Sequence, residues 1–582
     1  MLSREGTYWG FNAGRFDSLH IIEHMRRRDI RDVRVFAAGQ RITCVEYGNL
    51  RLRDAAAISG PMDFKNFSKI GKHPKTATGL PCDCGTCPDK SNGFCRIYVG
   101  MPEEDLIRLR EYNFIDCLGL HSALDCLVDF CARHTIALMG TIGASAFATV
   151  KHSQGIGDSP WCSKRASKRP DSIGTSYRQA QKSYFGGRTQ VFRPRAESGH
   201  RYDMNSAYPA ALAALQLPIG PGDTKLGPAA AKAFGRGAAG LYTAEVEVAP
   251  RTFIPPLPVR TAERIAYPIG RFKGSWTATE LQHAVAVGVQ VLRVSRAMVW
   301  DEVAPIMAPF CEHVYALRDA NRDNKGLFKW LKNLGNSVSG KLAQRPEVTE
   351  IILGPSSPKA CPGGRRRCKA KNCRQHERMG CCELTCFRMC GAHFPLDKAG
   401  YVVAQKSFRV PQCGYIHWAA YLTSFARVCL HTQLISDGQG GATCLYCDTD
   451  SCYATEERTW NIDEHRLGAW KYEGWLRQWE ALAPKTYAYL APDDEDETQL
   501  HRHARSKGVP DAATNWERLA SGVLIDRGVL SLRSAARSES GNLFQKKSFT
   551  RVVNPDGVTF GDRKLRDDGR TYPPCAFDLT FE

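Results

Sequence analysis

Residues 444–453 read CLYCDTDSCY, in which two apolar, β-prone arms flank a short acidic tip. The pattern predicts a β-hairpin with Asp448, Thr449 and Asp450 at its tip. Because side chains alternate along a strand, Asp448 and Asp450 are expected on the same side of the tip. Carboxylate oxygens are hard ligands that suit Mg²⁺, so the hairpin is a candidate metal site.

A second acidic motif lies upstream, where residues 202–209 read YDMNSAYP before an alanine-rich stretch. It predicts a strand that ends at Asp203, followed by a helix that Asn205 or Ser206 caps. A carboxylate at a strand end projects to a place where a metal could sit.

A basic motif follows at residues 332–341, which read KNLGNSVSGK and lie within a predicted helix from about residue 324 to 342. Lys332, Asn336 and Gly340 recur at every fourth position and therefore form one stripe. A lysine is a point charge suited to phosphate oxygens, and a glycine lets a base or another backbone approach closely.

Together the three motifs supply what nucleotidyl transfer requires. Carboxylates hold two Mg²⁺ ions about 4 Å apart between the attacking and leaving oxygens. A lysine neutralises the charge on the triphosphate. Taken singly, an Asp-Thr-Asp turn and a helical lysine are ordinary features of a protein surface, but their occurrence in this order favours the catalytic interpretation.

The composition fits a folded protein of several domains, with 582 residues, 43% of them apolar and 24% charged. The net charge is +19, and residues 151–200 hold ten Lys and Arg against three acids. Such an excess is typical of a phosphate-binding surface, although charge alone fits a solvated basic face equally well. Because neither a membrane span nor a signal peptide is evident, we expect a cytoplasmic, non-secreted protein of a bacterial host or infected cell.

Eleven of the 23 cysteines fall into two clusters. The first comprises Cys82, Cys84, Cys87 and Cys95, and the second comprises Cys361, Cys368, Cys373, Cys381, Cys382, Cys386 and Cys390. Without a secretory signal, this spacing favours structural Zn²⁺ over disulfides. Reduced thiols in a surface insertion remain the alternative.

The motifs around Asp203, Lys332 and Asp450 resemble motifs A, B and C of family B DNA polymerases. Their form is most similar to the protein-primed branch found in bacteriophages and linear plasmids. Three further motifs occur in the order of that branch: YxGG at residues 184–187, KxY at residues 485–487, and KGVP at residues 507–510. The resemblance covers the chain apart from the two cysteine clusters and implies an α+β right-hand fold with palm, fingers and thumb.

The resemblance also implies roles for individual residues. Asp203 and Asp450 would be the main metal ligands with Asp448 close by, and Tyr208 would stack under the incoming sugar and exclude a 2′-hydroxyl. The other implied contacts are those of Lys332, Asn336 and either Arg318 or Arg322 with the nucleotide, of Tyr184, Gly186 and Gly187 with the template, and of Lys485, Tyr487 and Lys507 with the primer–template. One departure is Ser339, which stands where the family usually has a tyrosine in the nascent base-pair pocket.

The N-terminal residues resemble part of the family's RNase H-like 3′–5′ exonuclease. Residues 12–17 resemble its Exo II motif through Asn12, Phe16 and Asp17, and residues 112–116 resemble Exo III through Tyr112 and Asp116. Residues 63–70 weakly match a segment that binds single-stranded DNA. Only eleven residues precede Asn12, so we expect the Exo I carboxylates to be missing and the hydrolytic site to be incomplete. A truncated gene model, a split gene and a real loss of proofreading all remain open.

These matches divide the chain into a partial exonuclease-like domain (1–135), a basic linker with the YxGG motif (136–197), palm with motif A and an insertion (198–310), fingers (311–345), a Cys/Arg-rich insertion (346–400), palm with motif C and KxY (401–495), and thumb (496–582).

The implied function is template-directed DNA synthesis in the replication of a viral or plasmid genome, with two Mg²⁺ or Mn²⁺ ions as cofactors. The expected partners are primer–template DNA, deoxynucleoside triphosphates and a terminal protein whose hydroxyl primes synthesis. We expect a monomer that does not bind membranes. The alternatives are an oligonucleotide-primed repair polymerase and a non-catalytic DNA-binding replication factor on the same fold.

Overall fold

The computed structural model describes residues 5–14, 17–38, 41–75, 101–162, 174–262, 264–353, 393–395, 402–492, 499–507, 516–520, 527–529, 547–549 and 559–581. Both cysteine clusters predicted to bind zinc, together with Phe16, lie outside these ranges. Within the described ranges, no helix combines the length and the apolar character needed to cross a bilayer.

The helices are α1 (Asp17–Arg27), α2 (Ala56–Ser59), α3 (Phe64–Ser68), α4 (Glu103–Arg133), α5 (Ile142–Gln154), α6 (Thr175–Lys182), α7 (Ala207–Ala214), α8 (Gly227–Gly235), α9 (Ala278–Ala286), α10 (Ala308–Ala320), α11 (Lys325–Leu342), α12 (Ile416–Leu434) and α13 (Trp516–Ala520). A 3₁₀ turn spans Ala576–Asp578.

The strands are β1 (Gly6–Gly10), β2 (Val33–Ala38), β3 (Arg41–Tyr47), β4 (Leu50–Asp54), β5 (Thr189–Val191), β6 (Arg195–Met204), β7 (Leu217–Pro218), β8 (Asp223–Leu226), β9 (Gly240–Val248), β10 (Val259–Arg260), β11 (Ile265–Ala266), β12 (Gly270–Thr277), β13 (Gln290–Val299), β14 (Val303–Ala304), β15 (Glu347–Leu353), β16 (His393–Pro395), β17 (Val402–Phe408), β18 (Cys444–Asp448), β19 (Ser451–Ala454), β20 (Trp470–Ala483), β21 (Thr486–Pro492), β22 (Leu500–Ser506), β23 (Arg527–Val529), β24 (Lys547–Phe549), β25 (Thr559–Phe560), β26 (Arg563–Leu565) and β27 (Thr571–Tyr572).

A seven-stranded sheet organises the N-terminal part, in the order β1-β4-β3-β2-β15-β17-β16. β15 lies at the start of the Cys/Arg-rich segment 346–400 and β17 follows that segment, and residues 351–353 pair with residues 33–35. The described strands of this segment, β15 and β16, therefore belong to the N-terminal sheet. Residues 402–408, which the sequence placed in the palm segment 401–495, belong to this sheet because their backbone groups pair with β15 along its whole length.

A second seven-stranded sheet, which we call the palm sheet, has the order β22-β21-β20-β6-β19-β18-β5. β6 lies at its centre, and the predicted hairpin is present as β18 and β19. Under the hairpin, Tyr446, Tyr453 and Trp479 pack as a buried aromatic layer. β22 forms the edge of this sheet, so the segment 496–582 assigned to the thumb begins within the palm.

The described parts of the segment 136–197 form helices and strands, which differs from the linker predicted for this segment. α5 buries Ile142, Ala146, Phe147 and Val150 at helical spacing and packs against α11. β5 joins the palm sheet next to β18. The apolar runs that form these elements are short and lie among many basic residues, so the sequence pattern resembles that of a linker.

A four-stranded sheet with the order β12-β9-β13-β8 lies between α7 and α10 in sequence. α9 follows β12 and contacts α12, whose residues are buried along most of its length. The C-terminal residues 559–581 return to β5, where the N–H of Thr571 donates to the carbonyl of Phe192 over 2.8 Å. The C-terminal residues are therefore hydrogen-bonded to the chain directly after β5 of the palm sheet.

Candidate active site

Two neighbouring strands bring the predicted acidic motifs together. β6 pairs antiparallel with β19, and Asp203 lies opposite Ser451 in the register. The N–H of Met204 also donates to the carbonyl of Asp450 over 2.8 Å. β6 ends at Met204, one residue beyond the predicted end at Asp203. Motifs that are far apart in the sequence therefore meet at one end of the palm sheet.

The carboxyl groups of Asp203 and Asp450 lie in each other's electrostatic range. Burial, followed by the charges of Asp450 and Glu473, raises the pKa of Asp203 to about 7. Burial and the charge of Asp448 raise the pKa of Asp450. The Lys332 ammonium opposes the rise in pKa at both carboxyl groups. Two desolvated acids that repel each other favour a bound cation or a shared proton.

Asp448 has a different environment, because a lysine already neutralises it. Lys485 Nζ lies 2.7 Å from both Oδ1 and Oδ2 of Asp448. Thr189 Oγ1 donates to Asp448 Oδ1 over 2.8 Å. Lys485 itself has a left-handed φ of 64°, and its N–H donates to the hydroxyl of Tyr446 over 3.1 Å. The turn after β20 therefore fixes the first aspartate of the hairpin.

The helix α11 is anchored at its first turns. The Asn324 side chain accepts from the N–H of Leu327 over 2.9 Å and caps the helix. Trp330 Nε1 donates to the carbonyl of Ile58 over 3.0 Å, which joins α11 to the N-terminal domain. The observed bounds agree with the helix predicted from about residue 324 to 342.

The predicted stripe lies on the open side of α11. Lys332 and Gly340 are exposed and Asn336 is half-buried. Ser339, which replaces the family's usual tyrosine, donates its hydroxyl to the carbonyl of Asn336 over 2.8 Å. A side chain that bonds to its own helix cannot fill a base-pair pocket as a tyrosine ring would.

The YxGG motif touches the acidic hairpin. A Cβ on Gly187 would lie 2.6 Å from Thr449 Cγ2, so only glycine fits there. The N–H of Thr449, which has a left-handed φ of 60°, donates to the carbonyl of Arg188 over 2.7 Å. Tyr184 from the same motif lies within electrostatic range of Tyr208, whose pKa burial raises to about 12.

The two arginines predicted to contact the nucleotide differ in position. Arg318 Nη1 donates to Ser206 Oγ over 2.8 Å and so reaches motif A. Ser206 occupies the N-cap position of α7 as predicted, but its side chain makes no cap hydrogen bond. Arg322 instead pairs with Asp319 on the protein surface.

Lys485 of the KxY motif and Lys507 of the KGVP motif lie close together, whereas Tyr487 of the KxY motif is buried. The N–H of Lys507 donates to the carbonyl of Lys485 over 3.0 Å. Tyr487 is only 6% exposed, and its ring centroid lies 5.0 Å from that of Tyr446. This burial does not fit the predicted contact of Tyr487 with DNA, because the ring packs under the hairpin instead.

A cleft of about 1120 Å³ in the N-terminal domain collects residues of the predicted exonuclease segments. Asn12, Phe64 and Asp116 line it, and Asp17 lies exposed at the start of α1. Lys75 Nζ lies 3.1 Å from Asp116 Oδ2 and also contacts the hydroxyl of Tyr112. Burial lowers the pKa of Lys75, but these hydrogen bonds outweigh it and the net pKa is raised.

Among the described residues, no group of three or more His, Cys, Asp or Glu side chains is arranged to coordinate a metal ion. The described cysteines, such as Cys44 and Cys311, are free thiols. The predicted zinc ligands lie outside the described residues.

The sequence gives no sign of several residues that complete the site. Thr189, Lys75 and Glu473 act on predicted residues from other strands or loops. Thr189 is the second residue after the YxGG motif, and this proximity is the one sequence signal that could have indicated it.

Residues 107–373, which include Asp203 and Lys332, match the sequence profile of the family described as DNA polymerase type B, organellar and viral. A protein of Ascobolus immersus named "Probable DNA polymerase" is 26% identical over 317 residues, which are 53% of this chain and 24% of that protein. The chain thus matches about a quarter of the length of this relative.

The fold was compared with solved structures. Phi29 DNA polymerase complexed with primer–template DNA and incoming nucleotide substrates superposes with a TM-score of 0.66 at 15% identity, covering 95% of this chain and 92% of that chain. Its post-translocation binary complex with primer–template DNA superposes with a TM-score of 0.63 at 14% identity, covering 94% and 92% of the two chains. The chain therefore shares the fold of these solved polymerases, and residues 107–373 are similar to the type B DNA polymerase family. The predicted resemblance to type B DNA polymerases and the predicted mixed α/β fold are both confirmed.

Proposed function

We propose that this protein is a type B DNA polymerase, which adds deoxynucleotides to a primer 3′-hydroxyl under the direction of a DNA template. The observation that carries the proposal is the pairing of β6 with β19, which puts Asp203 beside the hairpin of Asp450. Lys332 acts on the same two carboxyl groups from α11. Two carboxylates and a lysine are the groups that nucleotidyl transfer requires.

The pair Asp203 and Asp450 fits Mg²⁺ or Mn²⁺. The pKa of each carboxyl group is raised partly by a neighbouring negative charge, and a divalent cation would relieve that repulsion. Mg²⁺ is usually held by one or two carboxylates together with waters and substrate phosphates, so two aspartates are a sufficient contribution from the protein. When bound, two such ions polarise the α-phosphate and stabilise the leaving pyrophosphate.

The side chains then have separate tasks. The primer 3′-hydroxyl gives up its proton to water and attacks the α-phosphate, and the bond from that phosphorus to the pyrophosphate oxygen breaks. Lys332 neutralises charge on the triphosphate, while Lys485 holds Asp448 and keeps the hairpin in one geometry. Tyr208 lies in electrostatic range of Asp450, which supports its proposed role of packing against the sugar and excluding a 2′-hydroxyl.

The proposed assignment of subdomains follows from these positions. The palm comprises the palm sheet with residues 198–310 and most of 401–495, α10 and α11 form the fingers, and the thumb lies within 496–582. The template passes Tyr184 and Gly186, and the primer–template lies near Lys507, which is exposed. The solved Phi29 complexes contain primer–template DNA, which supports the same partner here.

Priming from the hydroxyl of a terminal protein is supported by the form of motifs A and C. An oligonucleotide primer would use the same pair of aspartates. Both routes therefore predict the same effect of substitutions at Asp203 and Asp450.

The test is single-nucleotide extension of a labelled primer–template with Mg²⁺ or Mn²⁺. We expect extension by the wild-type chain and a loss of at least about 10²-fold in Asp203→Ala and Asp450→Ala. Asp223→Asn, at an acid whose side chain is 71% exposed, is the matched control. DNA binding without any extension by the folded wild-type chain would instead indicate a non-catalytic replication factor.

A further inference from the structure

A buried arginine connects three parts of the molecule behind the acidic hairpin. Arg427 lies on α12, and Glu280 lies on α9, and both side chains are 2% exposed. Arg427 Nε lies 2.7 Å from Glu280 Oε1, and Nη2 lies 2.9 Å from Oε2. This is the bidentate geometry in which an arginine–carboxylate pair is strongest.

The remaining nitrogen of the same guanidinium holds the YxGG backbone. Arg427 Nη1 donates to the carbonyl of Phe185 over 2.8 Å and to that of Gly186 over 2.9 Å. The Arg427 guanidinium also lies over the ring of Phe185, 5.6 Å from its centroid. Replacing a buried ion pair by apolar residues is often neutral or stabilising, so stability alone does not account for this arrangement.

The backbone that Arg427 holds leads directly to the acidic hairpin. Gly187 packs against Thr449 with no room for a Cβ, and the carbonyl of Arg188 accepts from the N–H of Thr449. Thr189 then donates to Asp448. A shift of this backbone therefore moves the residue between the two aspartates of the hairpin.

Hydrogen bonds also connect α9, the helix that carries Glu280, and the neighbouring β12 to other elements. Thr277, the N-cap residue of α9, donates its hydroxyl to Ser424 Oγ on α12 over 2.7 Å. Ser183 and Ser275 share a hydrogen bond of 2.8 Å between α6 and β12. α9 and β12 belong to the segment between motif A and the fingers, so this segment orients Arg427.

We propose that Arg427 is a positioning residue for DNA synthesis: with Glu280 as its counter-charge, it fixes the backbone of residues 185–189 against the acidic hairpin. The inference rests on the proposed function, since it states how the template motif and the metal-binding hairpin are kept in register. Arg427 touches neither substrate nor metal in this account.

The test compares Arg427→Lys with the double variant Arg427→Met/Glu280→Leu. Lysine keeps the positive charge but cannot form the bidentate pair with Glu280. The double variant removes both buried charges and leaves the carbonyls of Phe185 and Gly186 without the arginine donor. In both, we expect the extension rate kcat to fall about tenfold or more, with KM for the nucleotide within about twofold. Arg271→Lys, at an arginine 63% exposed and paired with Glu245, is the control.

A local readout separates positioning from general destabilisation. We expect amide hydrogen exchange to accelerate about tenfold in residues 185–189 and at Thr449, while the sheet of β9 and β13 is unchanged. Wild-type exchange and kcat in either variant would overturn the proposal, as would an equal acceleration throughout the chain. Failure of the wild-type chain to extend a primer would overturn the proposed function, and the exchange data would still decide the role of Arg427.

Discussion

The ammonium of Lys485 lies 2.7 Å from each carboxylate oxygen of Asp448, at a turn where the lysine has a left-handed backbone. This contact distinguishes Asp448 from the other two predicted aspartates. The charge of Asp448 is neutralised by a lysine of the protein, whereas Asp203 and Asp450 have no such direct contact with Lys485. Asp203 and Asp450 retain the raised pKa values that a cation would lower.

Removing the Lys485 ammonium should therefore slow synthesis. Lys485→Gly deletes the charge without backbone strain, because glycine adopts a φ of 64° freely. We expect kcat for single-nucleotide extension to fall about tenfold or more, since Asp448 would add its charge to the other two carboxylates. Lys485→Arg should lose less, and Lys225→Met, at an exposed lysine paired with Asp223, should extend as the wild type does. An unchanged kcat in Lys485→Gly would contradict this role.

The contact between Gly187 and Thr449 predicts a compensating pair of substitutions. Gly187→Ala places a Cβ 2.6 Å from Thr449 Cγ2, so the hairpin must move and kcat should drop about tenfold or more. Thr449→Gly removes the clashing side chain and suits the φ of 60°, so the double variant should regain most of the lost rate. Gly235→Ala, where a Cβ meets open space, is the control. A double variant no faster than Gly187→Ala would show that the clash is not the cause.

Acid should destabilise the fold through a buried histidine. His417 is 1% exposed, and burial lowers its pKa to about 3. In the unfolded chain its pKa is about 6.5, so below that pH the unfolded state binds the extra proton. The stabilisation is complete above pH 6.5 and is lost at about 1.4 kcal/mol per pH unit on going down toward pH 3.

The measurement is urea unfolding at pH 7.5 and pH 5.5. His417 stacks on Trp300 with ring centroids 5.2 Å apart, and His417→Phe keeps a flat ring there. We expect this variant to lose less stability between the two pH values than the wild type. His121→Gln, at a histidine whose side chain is 75% exposed, should not change the dependence. Equal pH dependence in His417→Phe would assign the acid sensitivity to other groups.

The parts of the site that can be predicted from the sequence are those formed by short, local motifs. The hairpin of Asp448 and Asp450, the strand of Asp203 and the helix of Lys332 each depend on a pattern of about ten residues, and each is present in the structure. The burial of Tyr487 cannot be predicted from such a local pattern, because its ring packs against Tyr446 on another strand of the sheet.

Contacts between distant segments account for most of what the sequence does not reveal. Arg427 and Glu280 are 147 positions apart, and neither stands in a motif. Lys75 reaches Asp116 across 41 positions. The pairing of β15 with β2 likewise depends on tertiary packing, and nothing in residues 347–353 indicates that they extend the N-terminal sheet.

Asp203 and Asp450, brought together by β6 and β19, should form one site for divalent cations in DNA synthesis. The most direct test of this site is Mn²⁺ binding, followed by electron paramagnetic resonance, to the chain with a dideoxy-terminated primer–template and the matching nucleotide. We predict two bound Mn²⁺ ions in the wild type and in Asp223→Asn, and weakened binding in Asp203→Asn and in Asp450→Asn. Wild-type Mn²⁺ affinity and stoichiometry in both substituted chains would contradict the account.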